Sequence, residues 1–137
     1  MVKIVVDSYA WVEIFLGTLK GQSASKVIQD AEQAITPEIV LAEISRKYFR
    51  EGVKEQTIRS RLDIISQSSE LSQIDETIAI ESGKAYLELE SKAKKLKDKS
   101  PSLFDAIILA TARAHGGKVL TGDIHFKDLQ DTIWLDN

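Results

Sequence analysis

The stretch from Ser100 to Phe126, SPSLFDAIILATARAHGGKVLTGDIHF, constrains the fold more than any other part of the sequence. Ser102 is typical of a helix N-cap, and Asp105 follows three residues later. Apolar residues then recur at helical spacing and are numerous enough to predict a helix buried on most sides. Gly116 and Gly117 predict the end of that helix, and a short strand over Lys118 to Thr121 follows.

This helix–strand unit places two acids at one edge of the predicted sheet. A helix of an α/β layer runs antiparallel to the strand after it, so Asp105 in the first helical turn and Asp123 beyond the strand face the same edge. That edge is where open α/β sheets place their sites. Each acid also has an ordinary explanation. Asp105 can complete a capping box, and Asp123 can form a turn after Gly122.

A third acid follows another predicted strand. Val2 to Val6 is a run of β-branched residues around a lysine, which is typical of a central parallel strand. Asp7 ends this run and is expected at the same edge. The alternative is that Asp7 caps the helix predicted from Tyr9 to Leu19, although Ser8 could cap it instead.

The fourth candidate acid lies on a helix predicted from Glu38 to Arg50, directly after Pro37. Glu43 sits among apolar residues, where an idle carboxylate is least expected. Its side chain leans toward the helix start and the acidic edge, so it can act as a further ligand. The alternative is an i,i+3 ion pair with Arg46.

The remaining pattern completes an α/β chain. Its alternation predicts one domain over 1–137, with a mostly parallel sheet between layers of helices as a three-layer α/β/α sandwich. Five of the eight residues from Lys92 to Lys99 are lysine, which predicts a solvated face or a basic segment beside the acidic edge. The other predicted elements are helices over Gly21–Gln33, Lys54–Gln67 and Thr77 to about Leu96, and strands at 34–36 (a brief edge strand), 70–74 and 132–135.

Composition excludes several classes of site. The chain has no cysteine and two histidines, so a thiolate zinc site or a histidine-rich metal site is excluded. His125, a lone loop histidine, is not counted among the site residues. The net charge of -3 gives no global attraction to nucleic acid, so a nucleic-acid partner needs a local basic patch. No membrane-spanning stretch and no cleavable signal pattern are evident, which predicts a cytoplasmic protein.

The clustered acids predict metal chemistry. Carboxylates on one edge repel each other unless a cation neutralises them, and Mg²⁺ or Mn²⁺ prefers such oxygen ligands. A metal held in this way can activate water and stabilise displacement at phosphorus. The sequence therefore predicts metal-assisted hydrolysis of a phosphodiester.

Three segments, IVVDSYAWVEIFLG, TPEIVLAEISRKY and SLFDAIILATARAHGGKVLTGDIHF, resemble the PIN-domain ribonucleases, most closely the VapC-type toxins of prokaryotic toxin–antitoxin pairs. The resemblance spans nearly the whole chain. It implies a sheet of order 3-2-1-4-5, RNA cleavage dependent on Mg²⁺ or Mn²⁺, a homodimer and inhibition by a small antitoxin. The implied acidic site is Asp7, Glu43, Asp105 and Asp123, with Ser8 and Thr121 as supporting hydroxyls.

Physical roles can be predicted for these residues. Asp7 and Asp105 are expected to bind the metal directly, and Asp123 to complete the site or hold a metal-bound water. Glu43 is expected to be a ligand or to orient water. Arg46 and the lysine run, represented by Lys95, are weaker candidates for contact with the RNA phosphates.

Two other functions fit the same pattern. A receiver-like phosphoacceptor domain also has acids and magnesium at one edge of a parallel sheet. Such a domain requires paired acids after the first strand, whereas here Asp7 is followed by Ser8 and Tyr9. A non-catalytic binding module of the same fold is the other alternative. For an antitoxin, we expect an arginine among the four acids and a helix beside Tyr9 to Leu19. Trp11 and Phe15 on the Tyr9 to Leu19 helix would form the aromatic face that contacts the antitoxin; the alternative is that both fill the core.

Overall fold

The computed structural model describes residues 2–136 and consists of a five-stranded sheet with helices on both faces. A short 3-10 helix, Ile124–Phe126, follows the fourth strand. The strands are β1 Lys3–Val6, β2 Gln33–Pro37, β3 Glu70–Ser72, β4 Lys118–Thr121 and β5 Thr132–Trp134. The helices are α1 Ser8–Leu16, α2 Leu19–Asp30, α3 Glu38–Arg50, α4 Glu55–Ser68, α5 Glu76–Leu96 and α6 Leu103–His115.

The sheet is parallel throughout and has the order β3-β2-β1-β4-β5. The predicted fold class and strand order are therefore confirmed. The chain moves from β1 to β3 through α1 to α4 and returns to β4 through α5 and α6, so the right-handed crossover rule assigns these two sets of helices to opposite faces. β2 was predicted to be an outermost strand of the sheet, but it pairs with both β1 and β3 and is an interior strand. Within residues 2–136, no helix combines the length and hydrophobicity needed to cross a membrane.

The centre of the molecule is formed by β1 and α6. Ile4, Val5 and Val6 are fully buried because β1 pairs on both sides and is covered by helices. Every residue of α6 from Asp105 to Ala112 is buried, since the helix lies between the sheet and α5. Gly117 then passes so close to β1 that an added Cβ would lie 2.6 Å from the carbonyl oxygen of Lys3. The turn into β4 therefore requires glycine at this position.

The first two helices divide earlier than predicted. α1 ends at Leu16 because Gly17 adopts a left-handed conformation with φ 71°. Thr18 then caps α2, its hydroxyl accepting a hydrogen bond from the N–H of Gly21. A Cβ on Gly21 would lie 2.1 Å from the carbonyl oxygen of Glu13, so α1 and α2 pack directly against each other there.

Candidate active site

Asp7 lies at the end of β1 and is almost completely buried. Its Oδ2 accepts a hydrogen bond from the Thr121 hydroxyl at 2.7 Å, and its Oδ1 accepts one from the N–H of Ser8 at 2.8 Å. Burial is the main cause that raises the pKa of Asp7 to about 7; the nearby charges of Asp123 and Asp105 contribute to the shift, and the two hydrogen bonds oppose it. The carboxylate caps α1, as the alternative interpretation held, yet the fold also desolvates it beside two other acids.

Asp105 occupies the third position of α6 and forms the predicted capping box. Its Oδ2 accepts from the N–H of Ser102 at 2.9 Å, and the Ser102 hydroxyl accepts from the N–H of Asp105 at 3.1 Å. Burial raises the pKa of Asp105, and the charge of Asp123 adds to the shift. The cap fixes this carboxylate at the helix N-terminus through Oδ2, while Oδ1 accepts no hydrogen bond from residues 2–136.

Asp123 follows β4 and begins the short 3-10 helix. Its N–H donates to the Thr121 hydroxyl at 3.0 Å, and the same hydroxyl donates to Asp7. Thr121, which is fully buried, therefore holds two of the acids in fixed relation. This contact gives a physical role to a hydroxyl that the sequence placed beside the acids by resemblance.

His125 belongs to the same cluster, although it was left out of the predicted site. Its Nδ1 lies 3.0 Å from Oδ1 of Asp123 and 3.6 Å from Oδ2 of Asp105. Its Nε2 donates to the carbonyl oxygen of Lys99 at 2.9 Å. Burial alone would lower the pKa of His125, but the Lys99 contact and the two carboxylates raise it above its ordinary value. The sequence signal for including His125 was its position two residues after Asp123. An aspartate that turns the chain brings the residue two positions later close to its carboxylate.

Glu43 and Arg46 line one cleft together with Asp105, Asp123 and Ser8. The cleft has a volume of about 830 Å³. α3 therefore brings the fourth acid to the opening of the site, and Arg46 comes with it. The predicted i,i+3 ion pair also exists, with Nη2 of Arg46 2.5 Å from Oε1 of Glu43. Both interpretations of Glu43 are compatible with its position.

The lysine run reaches the cleft at its far end only. Lys99 and Ser100 line the cleft, whereas Lys95 lines a different surface cavity with Glu88 and Lys92. The structure thus brings Arg46 to the acids but does not bring Lys95 there. The reason is that α5 continues to Leu96, and the chain turns toward the acidic edge only after its C-cap, Lys97.

The sequence profile of the PIN domain family matches residues 4–131. The chain belongs to the PIN domain family. The matched segment includes all four candidate acids, Thr121 and His125. No curated protein matches the chain. The receiver-like alternative is set aside by this family membership.

Solved structures with the same fold agree over almost the full length of this PIN domain. A toxin–antitoxin complex from Klebsiella pneumoniae superposes with a TM-score of 0.69 at 19% identity, covering 98% of both chains. VapBC2 from Rickettsia felis, bound to a promoter DNA fragment, gives 0.69 at 21% identity and 96% of both chains. VapC20 from Mycobacterium tuberculosis, a toxin described as cleaving the sarcin-ricin loop, gives 0.66 at 18% identity, with 90% of this chain and 92% of that chain covered.

The side chains of this PIN domain suit a divalent cation. Single ligand atoms of Asp105, Asp123 and His125 all lie within 4.8 Å of one another. Asp7 adds a buried carboxylate whose raised pKa shows that the fold leaves its charge without full compensation. Oxygen-rich ligand sets of this kind favour Mg²⁺ or Mn²⁺. The residues present therefore fit the metal that the acidic cluster predicts.

Proposed function

We propose that this PIN domain is a cytoplasmic endoribonuclease dependent on Mg²⁺ or Mn²⁺ and the toxin of a toxin–antitoxin pair. One observation carries the proposal. Three carboxylates from separate elements come together: Asp105 and Asp123 line an open cleft within 4.8 Å of each other, and the Thr121 hydroxyl links Asp123 to the buried Asp7. The similar structures support the same assignment, since one is from a toxin–antitoxin complex and another is described as a toxin that cleaves the sarcin-ricin loop.

In this proposal Asp7, Asp105 and Asp123 hold the metal, and Glu43 is a further ligand or orients water. A bound Mg²⁺ or Mn²⁺ would activate water and offset the charge that develops on a phosphodiester. Thr121 orients Asp7 and Asp123 through its two hydrogen bonds. These contacts keep the carboxylates in place before any cation arrives, which limits the reorganisation needed on binding.

Substrate binding in this proposal uses the cleft itself. Ser8 lines it beside Asp123 and holds Asp7 through its backbone N–H. Arg46 also lines the cleft, and release from Glu43 would free its planar guanidinium to bind a phosphate. Cleavage of RNA rather than DNA rests on the resemblance to PIN-domain ribonucleases.

A nuclease assay tests the proposal directly. Purified protein is incubated with mixed cellular RNA in millimolar Mn²⁺ and, separately, with chelator. We expect cleavage in Mn²⁺ alone, and none by Asp105→Asn, which keeps the shape of the capping side chain but removes its charge. Cleavage that is equal with chelator, or equal in Asp105→Asn, would contradict the metal-dependent mechanism. Absence of any RNA cleavage would favour the non-catalytic binding module.

The proposed antitoxin contact lies beside α1. A groove of about 370 Å³ there is lined by Tyr9, Val12 and Leu16, which share one face of the helix, and it adjoins the acidic cleft at Ser8 and Asp123. The predicted aromatic contact face was wrong for Trp11, which is 2% exposed and donates to the Thr36 hydroxyl through its indole N–H.

A partner helix in this groove could extend a basic side chain among the acids and compete with the metal. We expect a cognate antitoxin to inhibit cleavage, and Leu16→Glu to weaken inhibition without slowing cleavage. Leu16 is 67% exposed, so the substitution leaves the core intact. Leu87→Glu on α5, at an equally exposed leucine, is the control. Inhibition that is equal for both variants and indifferent to Mn²⁺ concentration would contradict this docking mode.

The homodimer remains part of the proposal because the resemblance implies it. Size-exclusion chromatography with light scattering tests it. A mass near 15.3 kDa across micromolar concentrations would identify a monomer and contradict this part.

A further inference from the structure

His125 connects the acidic site to the loop that joins α5 and α6. Its Nε2 donates to the carbonyl oxygen of Lys99 at 2.9 Å, while its Nδ1 lies 3.0 Å from Asp123. Its own carbonyl oxygen accepts from Nζ of Lys92 at 3.4 Å. The imidazole side chain is 15% exposed, so packing as well as hydrogen bonding restrains it. The loop is therefore tied to the site through one residue.

The loop itself is short and leaves α5 abruptly. Lys97 caps α5 in a left-handed conformation with φ 58°, which lysine rarely adopts, and the N–H of Asp98 bonds back to the carbonyl oxygen of Ala93. Ser102 then caps α6. The hydrogen bond from His125 falls on the segment between these two caps. The other restraints on residues 98–101 include the two helix caps and the burial of Pro101.

Lys99 differs from the other cation of the cleft. Arg46 is engaged by Glu43, at 2.5 Å. Lys99 is exposed, and its ammonium makes no hydrogen bond or ion pair within residues 2–136. An RNA strand entering an acidic cleft is repelled by the carboxylates unless a cation on the protein offsets its phosphate charge. Among residues 2–136, Lys99 is therefore the lysine or arginine of the cleft lining whose charge is not already paired.

From these contacts we propose that Lys99 binds a phosphate of the RNA next to the cleaved one, and that His125 is the positioning residue that holds Lys99 at the cleft. The inference rests on the ribonuclease function proposed above. Three observations carry it: the hydrogen bond from His125 to Lys99, the unpaired charge of Lys99, and the place of both residues in the cleft lining.

Lys99→Ala tests the phosphate contact, with Lys118→Ala as the matched control. Lys118 is also an exposed lysine that forms no ion pair with any residue from 2 to 136, but it begins β4 at the opposite edge of the sheet. Steady-state cleavage of a labelled single-stranded RNA is measured in Mn²⁺ over a range of salt. For Lys99→Ala we expect KM to rise about 5-fold with little change in kcat, and the slope of log KM against log salt to fall by about 0.7. Lys118→Ala should match the wild type.

His125→Ala tests the positioning role. We expect it to raise KM and flatten the salt slope as Lys99→Ala does, and adding Lys99→Ala to it should raise KM no further. Its kcat is expected to fall as well, since Asp123 loses a partner. His125→Gln, whose amide can donate to the Lys99 carbonyl, should restore part of the lost affinity. Mn²⁺ affinity, measured by calorimetry, should be unchanged in Lys99→Ala.

Two results would overturn the proposal while RNA cleavage remains. If Lys99→Ala has the same KM and salt slope as Lys118→Ala, Lys99 does not contact a phosphate of the RNA. If the effects of His125→Ala and Lys99→Ala on KM add fully in the double variant, His125 does not position Lys99. If the wild type cleaves no RNA, it is the proposed function that fails. Tryptic cleavage after Lys99 then still tests the tether, since it should be faster in His125→Ala than in the wild type, and an equal rate contradicts it.

Discussion

Asp7 and Glu43 are acids of the same candidate site, but the protein holds them in opposite ways. Asp7 is 2% exposed, and its hydrogen-bond donors within residues 2–136 are all neutral: the hydroxyls of Thr121 and Ser8 and the N–H of Ser8. The side chain of Glu43 is 31% exposed and pairs with the guanidinium of Arg46. The fold thus compensates the charge of Glu43 with the charge of Arg46, whereas it gives the charge of Asp7 no such partner among residues 2–136. A buried carboxylate without a cation costs stability, and a metal removes that cost.

The largest effect expected from this difference is on catalysis by Asp7→Asn. The amide keeps the shape of the side chain but removes the charge that a metal requires. We expect RNA cleavage to fall on the order of 10³-fold, equivalent to about 4 kcal/mol of transition-state stabilisation. Asp75→Asn is the control, because Asp75 also caps a helix, accepting from the N–H of Ile78, but is exposed. Retained cleavage in Asp7→Asn would reduce Asp7 to a helix cap.

The elements that position three of the four acids were predictable from the sequence. The β-branched run before Asp7 and the helix–glycine–strand unit from Ser102 to Thr121 identify rigid elements and their order, because hydrophobic patterning and glycine turns act locally. From that order, the meeting of Asp7, Asp105 and Asp123 at one edge follows from the geometry of parallel sheets.

What could not be predicted depends on contacts between distant residues. Trp11 could face solvent or the core at the same helical spacing, and its bond to Thr36, 25 residues away, decides the matter. His125 gains its place from Lys99 and Asp105, which no local pattern connects to it. The end of α5 at Leu96 was predicted, but which lysine near it lines the acidic cleft depends on the path of the chain after Lys97, and that residue is Lys99 and not Lys95.

Metal binding is the next largest effect and sharpens the comparison on the side of Asp7. A cation that binds only the folded protein at about 100 times its Kd stabilises it by about 2.7 kcal/mol. For a domain of this size we expect millimolar Mn²⁺ to raise Tm by roughly 8 °C over chelator. Differential scanning fluorimetry measures this shift, and Asp7→Asn should lose most of it. Equal melting curves with Mn²⁺ and with chelator would speak against a metal site.

The metal-free protein should show the cost of Asp7 as a pH dependence. The pKa of Asp7 is about 7 when folded and 3.8 as a free side chain, so between these values the folded state binds more protons than the unfolded state. Its contribution to the free energy of unfolding therefore falls as pH rises, by roughly 3 kcal/mol from pH 5 to pH 8. His125, whose pKa is raised on folding, loses stabilisation in the same direction as pH rises through its folded pKa.

The difference between wild type and Asp7→Asn isolates the contribution of this one residue from that of other titrating groups. Urea unfolding in chelator at pH 5, 6, 7 and 8 should find Asp7→Asn more stable than wild type at pH 8, with the gap narrowing toward pH 5. A gap that is constant over this range would mean that Asp7 is already charged without penalty in the folded protein.

The smallest effect expected is on the stability of Glu43→Gln, and it decides what Glu43 does. The pair with Arg46 is an exposed i,i+3 contact, which contributes about 0.3–0.5 kcal/mol. Glu81→Gln is the matched control, because Glu81 forms the same i,i+3 pair with Lys84 at a side-chain exposure of 36%. Both variants should lose a similar small stability in urea. Because Glu43 alone lines the acidic cleft, only Glu43→Gln should also lose cleavage, by about 10-fold or more if it acts on the metal or its water. A Glu43→Gln variant that matches Glu81→Gln in both stability and cleavage would make the ion pair the whole role of Glu43, and the site would then consist of the three acids that the sheet and α6 hold.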